Sequence, residues 1–155
     1  MPTVLGHKTA ISRRGPSVPC KFLQSRLCFG YAGELSILDY GCGKGADIRY
    51  LGRQGYNVIG YDPHHFPVTI EGIKFDIILC SYVLNVLPTH NRQEVIDDIK
   101  EALAPDGQAY ITVRRDLPPE GKDGRDCYQY NVELTLPIVK QTSSYCIYRL
   151  NRGSM

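Results

Sequence analysis

Three glycines closely follow a carboxylate, Asp39, in one short stretch of the chain, residues 36–47, which reads S-I-L-D-Y-G-C-G-K-G-A-D. Gly41, Gly43 and Gly45 follow an apolar run and precede a helical pattern. Glycine permits the positive φ values of a tight turn and lets the backbone pass close to a ligand. The start of the helix then offers free backbone N–H groups to that ligand. A strand, a glycine turn and a helix in this order predict a site for a nucleotide-like cofactor.

Two acids narrow the choice of cofactor. Asp39 comes two residues before the first glycine, where its charge would repel a pyrophosphate but would suit the ammonium group of an amino acid. A dinucleotide site uses the longer spacing G-x-G-x-x-G. Asp62 ends the next apolar run, N-V-I-G-Y-D-P, at about the distance needed to reach a ribose diol. A ligand with an amino acid at one end and a ribose at the other matches S-adenosylmethionine. The alternative is a glycine turn that only packs a helix on a sheet.

The residue pattern around these positions predicts an α/β domain with a mostly parallel sheet. The unbroken apolar run at 75–81 is typical of a buried parallel strand. Asn91 and Glu94 resemble a capping box at the start of a helix, and Pro-Asp-Gly at 105–107 is expected to end it. The last two strands alternate and are expected to pair antiparallel. The predicted elements are helices at 17–28, 45–54 and from 91, and strands at 36–40, 57–61, 75–81, 108–114, 128–134 and 144–150.

Length and composition are typical of one globular domain. A chain of 155 residues with 43% hydrophobic content can bury one sizeable core. We expect a basic arm at 1–16 and a cofactor-binding domain at 17–155. No apolar run reaches the ~20 residues of a membrane span, and the N-terminus lacks an apolar signal core, so we expect a cytoplasmic protein with no membrane partner. The six cysteines form no C-x-x-C pair, so no metal site is predicted.

The net charge of +2 is unevenly distributed along the chain. The first 33 residues contain five basic residues and no acid. A basic arm before a mildly acidic body indicates an anionic partner, such as nucleic acid. The alternative is that this basic segment is only a solvated tail. The basic residues of this segment are Lys8, Arg13, Arg14, Lys21 and Arg26.

Taken together, the motifs resemble those of small class I S-adenosylmethionine-dependent methyltransferases. L-D-Y-G-C-G-K-G is similar to the first motif of that family, G-Y-D-P to its acidic second motif, and F-D-I-I-L-C-S-Y-V-L-N-V-L to its fourth-strand motif. L-A-P-D-G-Q-A-Y-I-T-V is similar to the turn into its fifth strand, and the resemblance covers about residues 34–150. More narrowly, H-K-T-A-I-S-R together with Y-D-P-H and S-Y-V-L-N-V-L resembles methyltransferases encoded beside bacterial DNA phosphorothioation systems, and phage relatives. That narrower resemblance implies DNA modification.

The resemblance implies a Rossmann-like methyltransferase fold with S-adenosylmethionine as the cofactor. Asp39 would face the methionine ammonium, and Asp62 would accept hydrogen bonds from the ribose hydroxyls. The other implied cofactor contacts are Gly41, Cys42, Gly43 and Gly45 around the methionine and ribose, Pro63 and His64 beside the adenine, and Ser81 and Tyr82 on the floor near the sulfonium.

Methyl transfer needs a general base only when the acceptor must lose a proton. Asn85 follows the fourth-strand motif and is a candidate to orient a substrate, the alternative being a cap for the turn before Pro88. For Tyr82, the alternative to a catalytic role is an ordinary core aromatic. The candidates for the base are His7, His64, His65 and Tyr82.

Two departures from the family pattern bear on the substrate. Only H-H-F-P-V-T-I-E-G-I-K separates Asp62 from Phe75, so the usual edge strand and its helix must be shortened or lost. No Asn/Asp-Pro-Pro-Tyr/Phe motif follows the fourth-strand motif, and no Pro-Cys dipeptide follows a strand. These absences argue against amino-methylation of adenine or cytosine through that motif, and against the covalent route to cytosine C5.

The sequence therefore predicts an S-adenosylmethionine-dependent methyltransferase acting on nucleic acid or another anionic substrate. One alternative is a non-catalytic S-adenosylmethionine-binding module that regulates a DNA-modification system. The other is an enzyme that uses S-adenosylmethionine without methyl transfer.

Two segments are expected to close the site. Residues 7–13 should fold over the cofactor end of the sheet, with Lys8 or Arg13 facing the cofactor carboxylate or an anionic substrate. The polar loop at 115–127 follows the strand at 108–114 and should form a basic lid on the substrate side, since ligands of open α/β sheets bind beyond the carboxyl ends of the strands. The alternative is a plain surface connection.

Overall fold

A computed structural model describes residues 13–123 and 128–154 of the chain. Three strands have the bounds that their apolar runs predicted, whereas the first two helices are shorter than predicted. No helix in these ranges is long and apolar enough to cross a bilayer. In chain order the elements are α1 (Val18–Ser25), β1 (Ser36–Tyr40), α2 (Ala46–Arg53), β2 (Asn57–Tyr61), β3 (Phe75–Ser81), a 3-10 turn (Leu84–Val86), α3 (Thr89–Ala102), β4 (Leu103–Arg114), β5 (Lys122–Asp123), β6 (Tyr128–Gln129), β7 (Ile138–Gln141) and β8 (Tyr145–Leu150).

Six of the strands form one sheet in the order β2-β1-β3-β4-β8-β7. The first four strands of that order are parallel to one another. β8 is antiparallel to β4, and β7 is antiparallel to β8. This is a Rossmann-like sheet that ends in an antiparallel pair, and it confirms the predicted fold class.

Apolar side chains on the two faces of the sheet form two cores. On one face Val95 of α3 packs with Ile78 of β3. On the other face Leu23 of α1 and Leu51 of α2 pack with Ile77 of the same strand. Because β3 is covered on both faces, its central residues 77–80 are apolar without alternation. Each fully buried side chain of this size contributes roughly 1.5–3 kcal/mol of transfer free energy.

The predicted start of α3 was wrong by two residues. The helix begins at Thr89, not at Asn91. Pro88 is extended, and its carbonyl accepts hydrogen bonds from the N–H groups of Asn91 at 3.0 Å and Arg92 at 3.2 Å. Because the proline ring fixes φ near the helical value and lacks an N–H group, the chain enters the helix directly after it.

The predicted end of α3 was also wrong, because β4 starts without a turn. Leu103 is already extended and pairs with Phe75. The Pro-Asp-Gly segment at 105–107 lies inside β4, where the register with β3 jumps from Leu103 to Gln108. A Cβ atom on Gly107 would lie 2.9 Å from the Phe75 carbonyl oxygen, so glycine permits this close passage of the two strands.

The prediction that residues 128–134 pair with the last strand was wrong. β8 pairs with β7, not with residues 128–134. The connection at 142–144 is short and is fixed by the Thr142 Oγ1 atom, which accepts from the N–H groups of Ser144 and Tyr145, each at 3.1 Å. Closing this short connection costs less chain entropy than closing the longer one from residues 128–134 would. The predicted loop at 115–127 contains β5, which pairs with β6 directly after the loop. Residues 124–127 lie outside the described ranges.

The segment between β2 and β3 is shortened, as its sequence predicted. Among the described residues it contributes no strand to the sheet, and its one bridge joins Asp62 to Phe66. β2 is consequently the edge of the sheet. The end of the sheet that holds the glycine turn is bounded there by a loop.

Candidate functional site

The carboxyl ends of β1, β2 and β3 bring the predicted cofactor residues to one edge of the sheet. Asp39 is the fourth residue of β1, Asp62 directly follows β2, and Ser81 ends β3. In the parallel register Asp39 lies opposite Gly60 on one side and Leu79 on the other. Residues far apart in the chain therefore meet where open α/β sheets bind their ligands.

The glycine turn has left-handed backbone at all three glycines. The φ angles of Gly41, Gly43 and Gly45 are 76°, 55° and 82°. A Cβ atom on Gly45 would lie 2.8 Å from the Phe66 ring. The turn is tied to β2 by a hydrogen bond from the Gly41 N–H to the Tyr61 carbonyl at 2.7 Å. The sequence requires glycine at this turn because side chains would be strained or would clash.

The Cys42 side chain packs against the neighbouring strand, and its thiol donates to the Gly43 carbonyl of the turn at 3.7 Å. Its sulfur would lie 2.7 Å from a Cβ atom placed on Gly60 of β2. Burial, followed by the charges of Asp39 and Asp62, raises the pKa of the Cys42 thiol well above its usual value. A thiol that stays protonated is a weak nucleophile, so Cys42 contributes its backbone and its volume to the site.

Asp62 joins two loops of the site. Its Oδ2 atom accepts a hydrogen bond from the Gly43 N–H at 3.1 Å. Its Oδ1 atom accepts from the N–H groups of His64 at 2.9 Å and His65 at 3.0 Å. The side chain is only 7% exposed. These bonds fix the carboxylate beside the glycine turn, and a carboxylate oxygen has lone pairs for further donors.

The turn after Asp62 carries two histidines whose ring centroids are 4.7 Å apart. Pro63 and His64 are exposed. The Nε2 atom of His65 is buried and has no hydrogen-bond partner in the structure. A buried polar nitrogen without a partner costs about 1–3 kcal/mol, so this atom marks a place where a polar ligand group would be stabilised. Sequence reasoning had placed His64 at the adenine, and the position of His65 adds a second candidate there.

Asp39 lies in a buried cluster of carboxylates. Burial raises the pKa of Asp39 well above its usual value, the charges of Asp47 and Asp62 raise it further, and Arg13 opposes the rise. Asp47 in turn accepts hydrogen bonds from the Ser17 N–H at 2.6 Å and the Ser17 hydroxyl at 2.7 Å. This excess of negative charge at a desolvated position suits a cation. Sequence reasoning missed Ser17 and Asp47, although Asp47 is an acid in the first turn of the helix after the glycines.

Arg13 is the one predicted arm residue of the site that lies within the described ranges. It is exposed, and its charge opposes the rise in pKa of both Asp39 and Tyr82. The end of the arm therefore lies at the carboxyl edge of the sheet. His7 and Lys8 lie outside the described residues, so the predicted position of Lys8 stays a prediction.

Tyr82 has a strained backbone at the end of β3. Its φ angle is 61°, in the left-handed region that an aromatic residue rarely adopts. Its N–H donates to the Thr112 carbonyl at 2.9 Å, which holds this conformation. Burial raises the pKa of the Tyr82 hydroxyl, so the side chain keeps its proton at neutral pH. Strain of this kind costs of order 1–3 kcal/mol and concentrates at functional sites.

Asn85 is 1% exposed and uses both ends of its amide on backbone groups. Its Nδ2 atom donates to the Tyr130 carbonyl at 2.9 Å, and its Oδ1 atom accepts from the Arg114 N–H at 2.8 Å. The Tyr130 N–H also donates to the Asn85 carbonyl at 2.6 Å. These bonds support a positioning role for Asn85, and a direct contact with substrate stays a prediction.

The residues of this edge fit S-adenosylmethionine. The glycine turn leaves space that side chains would fill, the Asp39 cluster suits an ammonium, and the fixed Asp62 carboxylate suits a ribose. The class of protein that this sheet and this site define is an α/β enzyme with a nucleoside cofactor at the glycine turn.

The family assignment agrees with this class. The chain belongs to the methyltransferase domain family, whose model matches residues 13–136. It is an S-adenosylmethionine-dependent methyltransferase. The matched range includes the glycine turn, Asp62, Tyr82 and the β5–β6 hairpin. No curated protein matches the chain by sequence.

Solved structures show the same fold at low sequence identity. The 1,6-didemethyltoxoflavin-N1-methyltransferase of Burkholderia thailandensis is 18% identical, with a TM-score of 0.60 over 85% of this chain and 76% of that chain, and was solved with S-adenosylhomocysteine. A TehB-like SAM-dependent methyltransferase of Corynebacterium glutamicum is 21% identical, with a TM-score of 0.56 over 84% of both chains. TehB of Haemophilus influenzae is 13% identical, with a TM-score of 0.59 over 83% of this chain and 60% of that chain.

Proposed function

We propose that this methyltransferase acts on an acceptor that carries an anionic group and binds beside Tyr82. The observation that carries the proposal is the strained backbone of Tyr82 at the end of β3. Burial raises the pKa of the Tyr82 hydroxyl, the nearby charges of Arg13 and Arg114 oppose that rise, and Asp116 adds to it. The basic N-terminal segment and the narrower resemblance to DNA-modification proteins make nucleic acid the first class of acceptor to test.

At the cofactor end, the buried carboxylate of Asp39 would receive the ammonium, and Asp62 would receive the ribose hydroxyls. Both groups are already fixed by burial or by hydrogen bonds from the backbone. Little conformational freedom would be lost on binding. When bound, S-adenosylmethionine supplies a methyl group already activated for transfer.

At the acceptor end, the task of the protein is mainly alignment. Holding the acceptor atom in line with the methyl group supplies most of the acceleration of such a reaction. Tyr82 would form one wall of the acceptor site, and its protonated hydroxyl would donate a hydrogen bond. If the acceptor must lose a proton, the exposed imidazole of His64 is the candidate base at this edge.

The two arginines beside Tyr82 differ in their partners. The Arg114 Nε atom lies 2.8 Å from Asp116 Oδ1, and this contact lowers the pKa of the Asp116 carboxyl. The charge of Arg114 is therefore largely balanced. Arg13 is exposed at the opening of the site, so it would provide most of the attraction for an anionic group.

The test uses the full chain and S-adenosylmethionine labelled in its methyl group. Single-stranded and duplex DNA, RNA and a set of anionic small molecules are offered as acceptors. Label in the acceptor is the expected result. The cofactor-site control is Asp62→Ala, which should reduce transfer when S-adenosylmethionine is limiting, because the variant binds the cofactor more weakly.

The two alternative functions give different results in the same assay. Tight binding of the cofactor without turnover on any acceptor would favour a regulatory module. Cleavage of the cofactor without an acceptor would favour an enzyme that uses it for another reaction. Label only in acceptors that carry no negative charge would overturn the proposed acceptor class and leave methyl transfer intact.

A further inference from the structure

A cavity lies between the segment that precedes β5 and the residues of β6 and the segment after it. Its volume is about 520 Å³, within the roughly 300–1,000 Å³ of small-molecule sites. None of its lining residues belongs to the cofactor site described above. The lining residues are Pro119, Glu120, Gly121, Tyr128, Tyr130 and Asn131.

Two tyrosines give the cavity preformed aromatic walls. The ring centroids of Tyr128 and Tyr130 are 4.8 Å apart at an interplanar angle of 63°. The Tyr128 ring packs on the backbone of Gly121, whose φ is 84° and where a Cβ atom would lie 2.8 Å from Tyr128 Cε1. The backbone of Tyr130 is held by its hydrogen bonds with Asn85, and its ring is in contact with Arg92, whose guanidinium carbon is 5.1 Å from the ring centroid.

The polar groups of the cavity divide by hydrogen-bonding role. Two donors are engaged within the protein, since the Asn131 Nδ2 atom donates to the Pro118 carbonyl at 2.5 Å and the Tyr128 hydroxyl donates to the Glu120 carbonyl. The hydroxyl of Tyr130 can donate or accept. The carboxylate of Glu120 and the Oδ1 atom of Asn131 are acceptors. A ligand that complements this lining has a planar apolar body and carries hydrogen-bond donors.

Arg114 links the segment that lines the cavity to the proposed acceptor edge. The Nη1 atom of Arg114 donates to Gln129 Oε1 at 2.6 Å, and Gln129 lies in the chain between the two tyrosines. The same arginine influences the pKa of Tyr82. One acceptor could therefore place its anionic group near Arg13 and another part of its structure in the cavity.

We propose that this cavity binds a planar aromatic or heteroaromatic ring that bears N–H or O–H groups, as the ring-binding part of the acceptor site. Stacking on the tyrosines would provide affinity, and the Glu120 carboxylate would select rings that carry a donor. The assignment to the acceptor rests on the proposed function, whereas the binding of such a ring does not require turnover.

The test compares umbelliferone, a coumarin with one phenolic hydroxyl, with its methyl ether, which lacks that donor. Both are titrated calorimetrically into the full chain saturated with S-adenosylhomocysteine, at a pH where the phenol is protonated. Umbelliferone should bind about tenfold or more tightly than the methyl ether. Glu120→Gln should remove most of that preference, and the control Glu133→Gln, an exposed acid outside the cavity, should keep it.

Tyr128→Leu keeps an apolar side chain but removes the ring, and it should weaken both coumarins by about tenfold. Unchanged S-adenosylhomocysteine binding would show that this variant is folded. Equal affinity of the two coumarins for the parent protein, or unchanged affinity in Tyr128→Leu, would overturn the assignment of the cavity. If S-adenosylhomocysteine binds but umbelliferone does not, only the cavity proposal fails. If umbelliferone binds as expected but no acceptor is methylated, only the proposed function fails.

Discussion

Gly43 and Asp62 are 19 residues apart in the chain and are joined by a hydrogen bond from the Gly43 N–H to Asp62 Oδ2 at 3.1 Å. The bond connects the turn after β1 to the turn after β2. The carboxylate that would hold the ribose therefore also fixes the loop that would surround the methionine. Loss of this side chain should affect both ends of the cofactor site at once.

The first prediction concerns Asp62→Ala. The variant loses the ribose contact and the bond to Gly43, so we expect S-adenosylmethionine binding to weaken by about 1–3 kcal/mol. Isothermal titration calorimetry measures the change. Asp97→Ala is the matched control, since Asp97 is an exposed acid of α3 whose side chain accepts from Gln93 at 2.9 Å. Tighter binding of NAD than of S-adenosylmethionine by the parent protein would contradict the cofactor site as described.

The second prediction concerns the glycine turn. Gly45→Ala combines a left-handed φ with a contact of 2.8 Å to the Phe66 ring, and it should lower the free energy of unfolding by about 1–3 kcal/mol. Gly52→Ala is the control, because nothing lies within 4 Å of its Cβ position inside α2. That substitution should stabilise the protein by about 0.5–1 kcal/mol. Urea unfolding measures the free energy of unfolding of both variants. Equal changes would show that the turn accepts a side chain at residue 45 without strain.

The third prediction follows from the buried Asp39. Its pKa is raised in the folded state, so the folded protein binds this proton more tightly than the unfolded chain does. The stabilising contribution is complete below the unfolded pKa and is lost as the pH rises through the folded pKa. Asp39→Asn should therefore be more stable than the parent at neutral pH and should lose less stability as the pH rises. Chemical unfolding at a series of pH values measures this difference.

The same substitution should weaken S-adenosylmethionine binding, because an amide cannot balance the charge of an ammonium. Asp47, Asp62 and Arg13 are present in both proteins, so the difference measures the loss of the Asp39 charge together with its interactions with these neighbours. A variant that is less stable than the parent at neutral pH would contradict the assignment of a desolvated carboxylate at this position.

The fourth prediction concerns Arg13. Arg13→Ala should weaken the binding of an anionic acceptor and should reduce the slope of its affinity against salt concentration by about one. Arg14→Ala removes a neighbouring exposed arginine whose charge has no described influence on Asp39 or Tyr82, and it should have the smaller effect. Titrations of acceptor at several salt concentrations distinguish the two. Identical slopes for both variants would mean that the arm acts only through its total charge.

The parts of the fold that depend on local sequence could be predicted. β1, β2 and β3 are short apolar runs that end at glycines or polar residues, and their bounds agree with those predicted. The glycine turn was predictable because three glycines so close together permit the positive φ angles of a tight turn, which other residues rarely adopt. The position of Asp62 followed from the end of the run before it.

The parts that depend on contacts between distant residues could not be predicted. Ser17 and Asp47 are 30 residues apart, and nothing in either local pattern indicates that they meet. The left-handed backbone of Tyr82 depends on the Thr112 carbonyl of another strand. The partner of β8 was mistaken because residues 128–134 also alternate, but Val132 and Leu134 pack on the core instead of pairing in the sheet.

Asn85, through its three hydrogen bonds to backbone groups, also bears on how the acceptor range of this enzyme can diversify. Two of its three bonds hold the backbone of Tyr130, and the third holds the backbone of Arg114. Because the bonds are to backbone groups, the side chains at 128–131 can change while the path of the main chain at Tyr130 is kept. Selection for a new acceptor could thus act on these positions without disturbing the Asp39–Asp62 edge, so that substrate range and cofactor use would evolve separately.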